Sequence, residues 1–221
     1  MPVRFAILIS GRGSNMLALH DAIIAHNHDA EICLVAADKN CAGLALAQER
    51  GLPTKIIDYK GHPKEQSEGS LSQAIKSVGA DFILLAGFMR ILSSEFVSQF
   101  AGKIINIHPS LLPDYKGLNT HQRVLDANEA YHGVTVHIVT AGLDDGPIIA
   151  QAQIACMADD NVNSLSDRLL PVEHHLYQWV MSALINGSLF VDAQGPVWHE
   201  APHFACDGAQ LRMPLMNKQN A

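Results

Sequence analysis

A short apolar strand that breaks into a glycine-rich turn and then becomes amphipathic opens this chain, and it restricts the fold more than any other feature. Val3 to Ile9 reads as the strand, Ser10-Gly11-Arg12-Gly13-Ser14-Asn15 as the turn, and Met16 to Ala25 as the helix. The unit then returns. Glu31 to Ala37 is a second strand ending at Asp38, and Ala42 to Arg50 is a helix closed by Gly51. Thr54 to Asp58 is a third strand, Tyr59 to Gln66 a polar loop containing Gly61, Pro63 and Lys64, and Ser70 to Val78 a helix. Asp81 to Ala86 is apolar enough to be buried on both faces. Strands alternating with helices predict an α/β fold: a mainly parallel twisted sheet with helices on both faces.

The first turn suits an anion, because glycines let the backbone approach a ligand while free N–H groups and the positive end of the helix dipole attract negative charge. A phosphate is the natural guest. The dinucleotide pattern G-x-G-x-x-G fails at Met16, and no Gly-Lys-Ser/Thr completes a P-loop. Asp38 lies about 20 residues past the turn, where a nicotinamide-binding protein keeps its ribose-binding acid, so a nicotinamide-binding module stays open as a rival.

The second informative stretch is Ile104-Ile105-Asn106-Ile107-His108-Pro109-Ser110-Leu111-Leu112-Pro113. Its isoleucines suit a central strand, and Pro109 and Pro113 keep the following segment out of a helix. Residues two apart share a strand face, so Asn106 and His108 should point together at the sheet's carboxyl edge. Ser94 to Phe100 precedes this strand as a short helix, and Gln122 to Asn128 follows it as another. Tyr131 to Val139 alternates, placing His137 on the less apolar face, where it reads as a structural histidine. Asp144 and Asp145 lie in a glycine loop without the oxygen spacing of a calcium site. Ile148 to Cys156 is a further strand, and Asn163 to Asn186 is one long helix holding Pro171, with a kink expected there. Leu189 to Val191 and Val197-Trp198 are short strand-like pieces.

Taken in order, S-G-x-G-S-N, A-G-F-M-R-I-L, N-I-H-P-S-L-L-P, L-D-x-G-P and E-H resemble the folate-dependent formyltransferases over about residues 3 to 200, specifically those acting on phosphoribosylglycinamide. The resemblance implies a formyltransferase-like fold and transfer of a formyl group from 10-formyltetrahydrofolate, as co-substrate, to the glycinamide amine in purine synthesis. It implies Asn106, His108 and Asp144 as the catalytic residues, with Asp144 supporting the histidine's charged form. It further implies Gly13, Ser14 and Asn15 around the substrate phosphate, Pro109 beside the substrate, and Glu173 on the ribose hydroxyls. Phe88, Met89, Arg90, Ile91, Leu92, Ala141 and Asp144 are implied to hold the folate ring, and Lys64 its glutamate tail. Most relatives are expected to have a small residue at Asp145 and a polar one at Leu170.

The formal charge of −7, with no basic run, disfavours a nucleic-acid partner, so small-molecule substrates are expected. Cys33, Cys41, Cys156 and Cys206 form no C-x-x-C pair and the start lacks a signal arrangement, which points to the cytoplasm. No apolar run approaches the roughly 20 residues needed to cross a bilayer. A single domain is expected over about residues 1–200, with a phosphate-binding amino half to about 100 and a catalytic, folate-binding carboxyl half after it. Residues 201–221 read as a poorly ordered tail, and the assembly as a monomer or homodimer. A tRNA formyltransferase is expected to need a further carboxyl-terminal domain, and a formyltetrahydrofolate hydrolase a preceding one. His199-Glu200-Ala201-Pro202-His203 matches H-E-x-x-H, but Pro202 costs about 3 kcal/mol in the helix that motif needs, so no metal is expected.

Overall fold

A computed structural model describes residues 1–213. Its main sheet has the order β10-β7-β6-β5-β4-β1-β2-β3. The strands are β1 (Val3–Ile9), β2 (Ala30–Ala37), β3 (Thr54–Ile56), β4 (Phe82–Leu85), β5 (Ile104–His108), β6 (Tyr131–Ile138), β7 (Ile148–Ala155) and β10 (Gln210–Arg212). Strands β1 to β5 run parallel, and β6, β7 and β10 pair antiparallel from β5 outward. Between the early strands lie α1 (Ser14–Ala25), α2 (Ala42–Glu49), α3 (Lys64–Ser77) and α4 (Ser94–Gln99), and between β5 and β6 lies α5 (Thr120–Asp126). A separate antiparallel hairpin joins β8 (Leu189–Asp192) to β9 (Gly195–Trp198).

Alternate residues of β1 enter different cores, as a sheet covered on both faces requires. Phe5, Ile7 and Ile9 pack with Met16 and Leu19 of α1 and Leu176 and Val180 of α6 (Val162–Asn186). Ala6 and Leu8 pack with Leu71 and Ile75 of α3 and Phe96 of α4. From β1 the chain moves one way to β2 and β3, then crosses back to β4, which makes the gap between β1 and β4 a topological switch point. Ligands of open α/β sheets bind at such points, outside the carboxyl ends of the strands.

Helix α3 and strand β10 differ from the sequence reading, whereas α6 is the one long helix expected, begun one residue earlier. Helix α3 starts at Lys64 rather than Ser70, because Pro63 supplies the entry residue with φ already near −54° and Glu65 sits in the first turn. Helix α6 runs through Pro171 as one element; the proline removes the N–H that would meet the Asp167 carbonyl, and both residues are exposed to water. Its start is fixed by a capping box, in which Asn161 accepts from Asn163 and Ser164 while the Ser164 hydroxyl accepts from the Asn161 N–H. Strand β10 lies in the stretch read as a tail and pairs Gln210–Arg212 with β7. Residues 214–221 lie outside the described residues.

Helix α6 is secured to the parallel strands by the fully buried Tyr177, whose hydroxyl reaches the carbonyls of Leu85 (3.2 Å) and Ile105 (3.0 Å). Among the described residues no helix is long and apolar enough to cross a membrane.

Candidate active site

The turn after β1 is shaped by Gly13, which adopts φ 77° and lies so close to α2 that an added Cβ would stand 2.8 Å from the Gly43 Cα. Glycine is needed there for both reasons. No side chain caps α1, so its first backbone N–H groups keep their capacity for an outside acceptor. Asn15 is buried at this helix start and donates its amide to Glu173 Oε2 at 3.3 Å. Glu173 therefore joins Gly13, Ser14 and Asn15 from the far side of α1, held by the α1–α6 packing that also gives the Gln178 to Ala18 carbonyl bond of 2.8 Å.

Burial pushes the Glu173 carboxyl up to about 7, with the Asn15 hydrogen bond and the nearby Arg12 charge pulling the other way. An unfolded glutamate titrates near 4.5. Between these values the folded chain binds more protons than the unfolded one, so this group's contribution to stability falls as pH rises through the window. Glu173→Gln is expected to match the native chain near pH 4 and to exceed it near pH 8 by roughly 1–3 kcal/mol. Denaturant unfolding at the two pH values checks this; an unchanged difference between them would assign the proton to another group.

The second loop of the switch point follows β4. Gly87 accepts from the Ser10 N–H at 3.1 Å, and the Met89 N–H donates to the Ser10 hydroxyl at 2.9 Å, so one serine holds the turn after β1 against the segment after β4. Met89 and Ile91 are each 65% exposed, which removes core packing as their role, whereas Leu92 is buried and Phe88 half-buried. Phe88 and Val139 both pack against the core cluster that contains Leu92, and Ala141, two residues past Val139, is exposed. Glu68 accepts the Ser93 N–H at 2.9 Å and lies 3.9 Å from Lys64 Nζ, placing Lys64 at the segment's border.

Asp38, the acid expected by the nicotinamide rival, is buried and accepts from Arg90 Nε at 2.7 Å. Met16, at the failed glycine position, is fully buried in the core. Neither arrangement suits a dinucleotide site.

Asn106 and His108 do share a face of β5, and the antiparallel register sets His137 of β6 directly opposite Asn106. His137 Nδ1 faces its neighbour's carbonyl, Ile138 O, at 3.0 Å, and its Nε2 lies 3.1 Å from Asn106 Nδ2. A carbonyl can only accept, so Nδ1 carries the proton and Nε2 accepts from the amide. Burial, the largest influence, lowers the His137 pKa and keeps that ring neutral. His137 thus orients Asn106 and leaves the amide's second N–H to point elsewhere. Alternation alone placed His137 on the right face; its partner depends on the β5–β6 register.

His108 is buried between two acceptors, with Nε2 3.1 Å from the Tyr115 carbonyl and Nδ1 3.5 Å from Asp144 Oδ2. Asp144 stands in the left-handed region at φ 45°, receives the Gly117 N–H at 2.9 Å, and lies 3.8 Å from His137 Nε2. An ion pair from Lys116 to Asp145 adds a second link between these loops. Pro109 follows in a tight turn closed by Ser110 N–H to His108 O at 2.8 Å, and the buried Thr135 hydroxyl holds the loop by donating to Ser110 O at 2.6 Å. Asn106, His108, His137 and Asp144 therefore form one group of donors and a carboxylate, its two histidines buried and Asn106 and Asp144 half-buried, suited to stabilising an oxyanion and passing a proton.

Residues 199–203, the H-E-x-x-H match, lie outside any helix. Among the described residues no three His, Cys, Asp or Glu side chains are grouped to hold a metal ion.

Residues 3–181 match the family model described as formyl transferase. The chain is 40% identical over 195 residues to the trifunctional purine biosynthetic protein adenosine-3 of Drosophila melanogaster, covering 86% of this chain but only 14% of that protein. It is 39% identical over 189 residues to the phosphoribosylglycinamide formyltransferase of Escherichia coli (strain K12), covering 85% and 89% of the two chains. The phosphoribosylglycinamide formyltransferase structure from Coxiella burnetii superposes with a TM-score of 0.83 at 40% identity, covering 89% of this chain and 96% of that one.

Proposed function

Because this chain belongs to the formyl transferase family, we propose that it moves the formyl group of 10-formyltetrahydrofolate to the amine of phosphoribosylglycinamide, a step of purine biosynthesis. The observation that carries the reading is the union at one sheet edge of an uncapped helix start beside Glu173 and an Asn106–His108–Asp144 group whose histidine is buried. The helix start, with Gly13, Ser14 and Asn15, takes the phosphate, and Glu173 accepts from the ribose hydroxyls. Pro109 borders the amine. The segment from Phe88 to Leu92 and Ala141 takes the folate ring, with Lys64 toward its carboxylate tail.

Formyl transfer needs three things from the protein: alignment of amine and formyl carbon, stabilisation of the negative oxygen formed on attack, and a proton for the leaving folate nitrogen. Asn106 supplies an N–H fixed by His137. His108 supplies ring protons, and Asp144 stabilises the imidazolium. In the structure the Nε2 proton of His108 rests on the Tyr115 carbonyl, so substrate binding exchanges that partner for the reacting oxygen. Among the described residues this group contains no serine or cysteine paired to a base, which supports direct attack over an acylated protein.

The purified chain is expected to form tetrahydrofolate only when both substrates are present. Release of formate without the acceptor would favour a hydrolase instead, and tight NAD binding without any turnover would favour the nicotinamide module.

A further inference from the structure

Segment Gly87–Leu92 has little regular structure of its own, yet it is the part of the chain on which donor binding rests under the proposed function. Its first residues are fixed by Ser10, and Ser93 beyond it is fixed by Glu68 through both its N–H and its hydroxyl. In the middle, Arg90 supplies a side-chain anchor of its own. That side chain is 40% exposed, its guanidinium lies 5.2 Å over the Tyr59 ring, and its Nε meets an Asp38 carboxylate only 3% exposed. Tyr59 in turn meets Phe88 edge-on at 6.4 Å between ring centroids.

We infer that Asp38 is a positioning residue for the formyl donor, acting through Arg90 to fix the backbone between Gly87 and Leu92. A charge-assisted bond to a carboxylate that cannot move is far more directional than a surface ion pair, because Asp38 is buried at the end of β2 while Arg90 extends from the loop. Loss of the carboxylate frees the guanidinium to be solvated, so the fold survives while the segment loses its central anchor. The phosphate turn keeps its own support, Gly43 N–H to Gly11 O at 2.9 Å, and its Ser10 bonds reach only Gly87 and Met89, ahead of Arg90. Hence the two substrates should respond differently, and this expectation rests on the formyl-transfer reading.

The experiment is two-substrate steady-state kinetics on the native chain and on Asp38→Ala, Asp38→Asn, Arg90→Met and the Asp38→Ala, Arg90→Met pair. Asp38→Ala is expected to raise KM for the formyl donor about tenfold, with kcat and KM for phosphoribosylglycinamide within about threefold of native. Asp38→Asn keeps an acceptor for Arg90 Nε and should recover most of the donor KM. Arg90→Met lies on the exposed side of the pair, so it tests the same anchor even if the buried change impairs folding. In that background Asp38→Ala should add less than about twofold, since residues acting through one another are not additive. Equal rises in both KM values, a fall in kcat alone, a lowered donor KM, or a full tenfold effect on top of Arg90→Met would each overturn the inference. Absence of formyl transfer by the native chain would remove the underlying reading as well, whereas turnover without a donor-specific split would remove this inference alone.

Discussion

Asn106→Ala is expected to turn over about 100- to 1,000-fold more slowly than the native chain, the usual cost of one well-placed oxyanion donor. His108→Ala should lose at least as much. The basis is geometric: His137 fixes one side of the Asn106 amide, and Asp144 lies within 3.5 Å of His108 Nδ1 and 3.8 Å of His137 Nε2. Asp144→Asn keeps the size and the Gly117 contact but removes the charge between two imidazoles. If these side chains act as one unit, Asp144→Asn combined with His108→Ala will cost far less than the product of the single losses. Single-turnover and steady-state rates on both singles and the double provide the measurement. Multiplicative losses would give the carboxylate a task separate from the histidine.

Ser14→Asp should raise KM for phosphoribosylglycinamide on the order of 100-fold while leaving affinity for a folate analogue near native, because a carboxylate at the helix start repels the phosphate. The substitution does not weaken α1, since an acidic residue in a first turn is favourable to the helix dipole. A loss of affinity for the ribonucleotide therefore reports on the ligand rather than on folding. Titration calorimetry with each ligand separates the two sites, and equal weakening of both would mean that the turn is structural.

Much of the fold follows from period and punctuation. Val3–Ile9, Phe82–Leu85 and Ile104–His108 are apolar runs that cannot be solvated, and each ends at residues that break a strand. Helix α3 shows where such reading fails: Gly61 and Pro63 look like loop residues, yet Pro63 initiates the helix, and the polar run after it divides, Lys64, Glu65 and Gln66 turning outward while Ser67 and Glu68 are buried. At the site, same-face spacing brought Asn106 and His108 together without any tertiary information. Glu173 reached Asn15, and Asp144 reached His108, on family resemblance alone, since their sequence separations carry no periodic signal. His137 reads as a structural histidine on the correct face, but its bond to Asn106 is hidden from the sequence, because pairing across β5 and β6 depends on register. The Asp38–Arg90 bond was equally hidden, joining residues 52 positions apart at the ends of different strands.

Strand β10, only three residues long, lies at the outer side of β7 and bonds to Gln151–Gln153. Without it, the main-chain groups of an eight-residue strand would be open along that border, and β7 contains Ile148, Ile149, Ala150, Ala152 and Ile154. Such a border is a template on which a second chain can add itself strand to strand. The opposite border ends in β3, equally short, with Lys55 exposed at its middle. A cation and a short strand at one side, and at the other a covering segment with Arg212 over Gln151–Gln153, shorten the backbone open to self-association, so the stretch after the β8–β9 hairpin has a task apart from the chemistry.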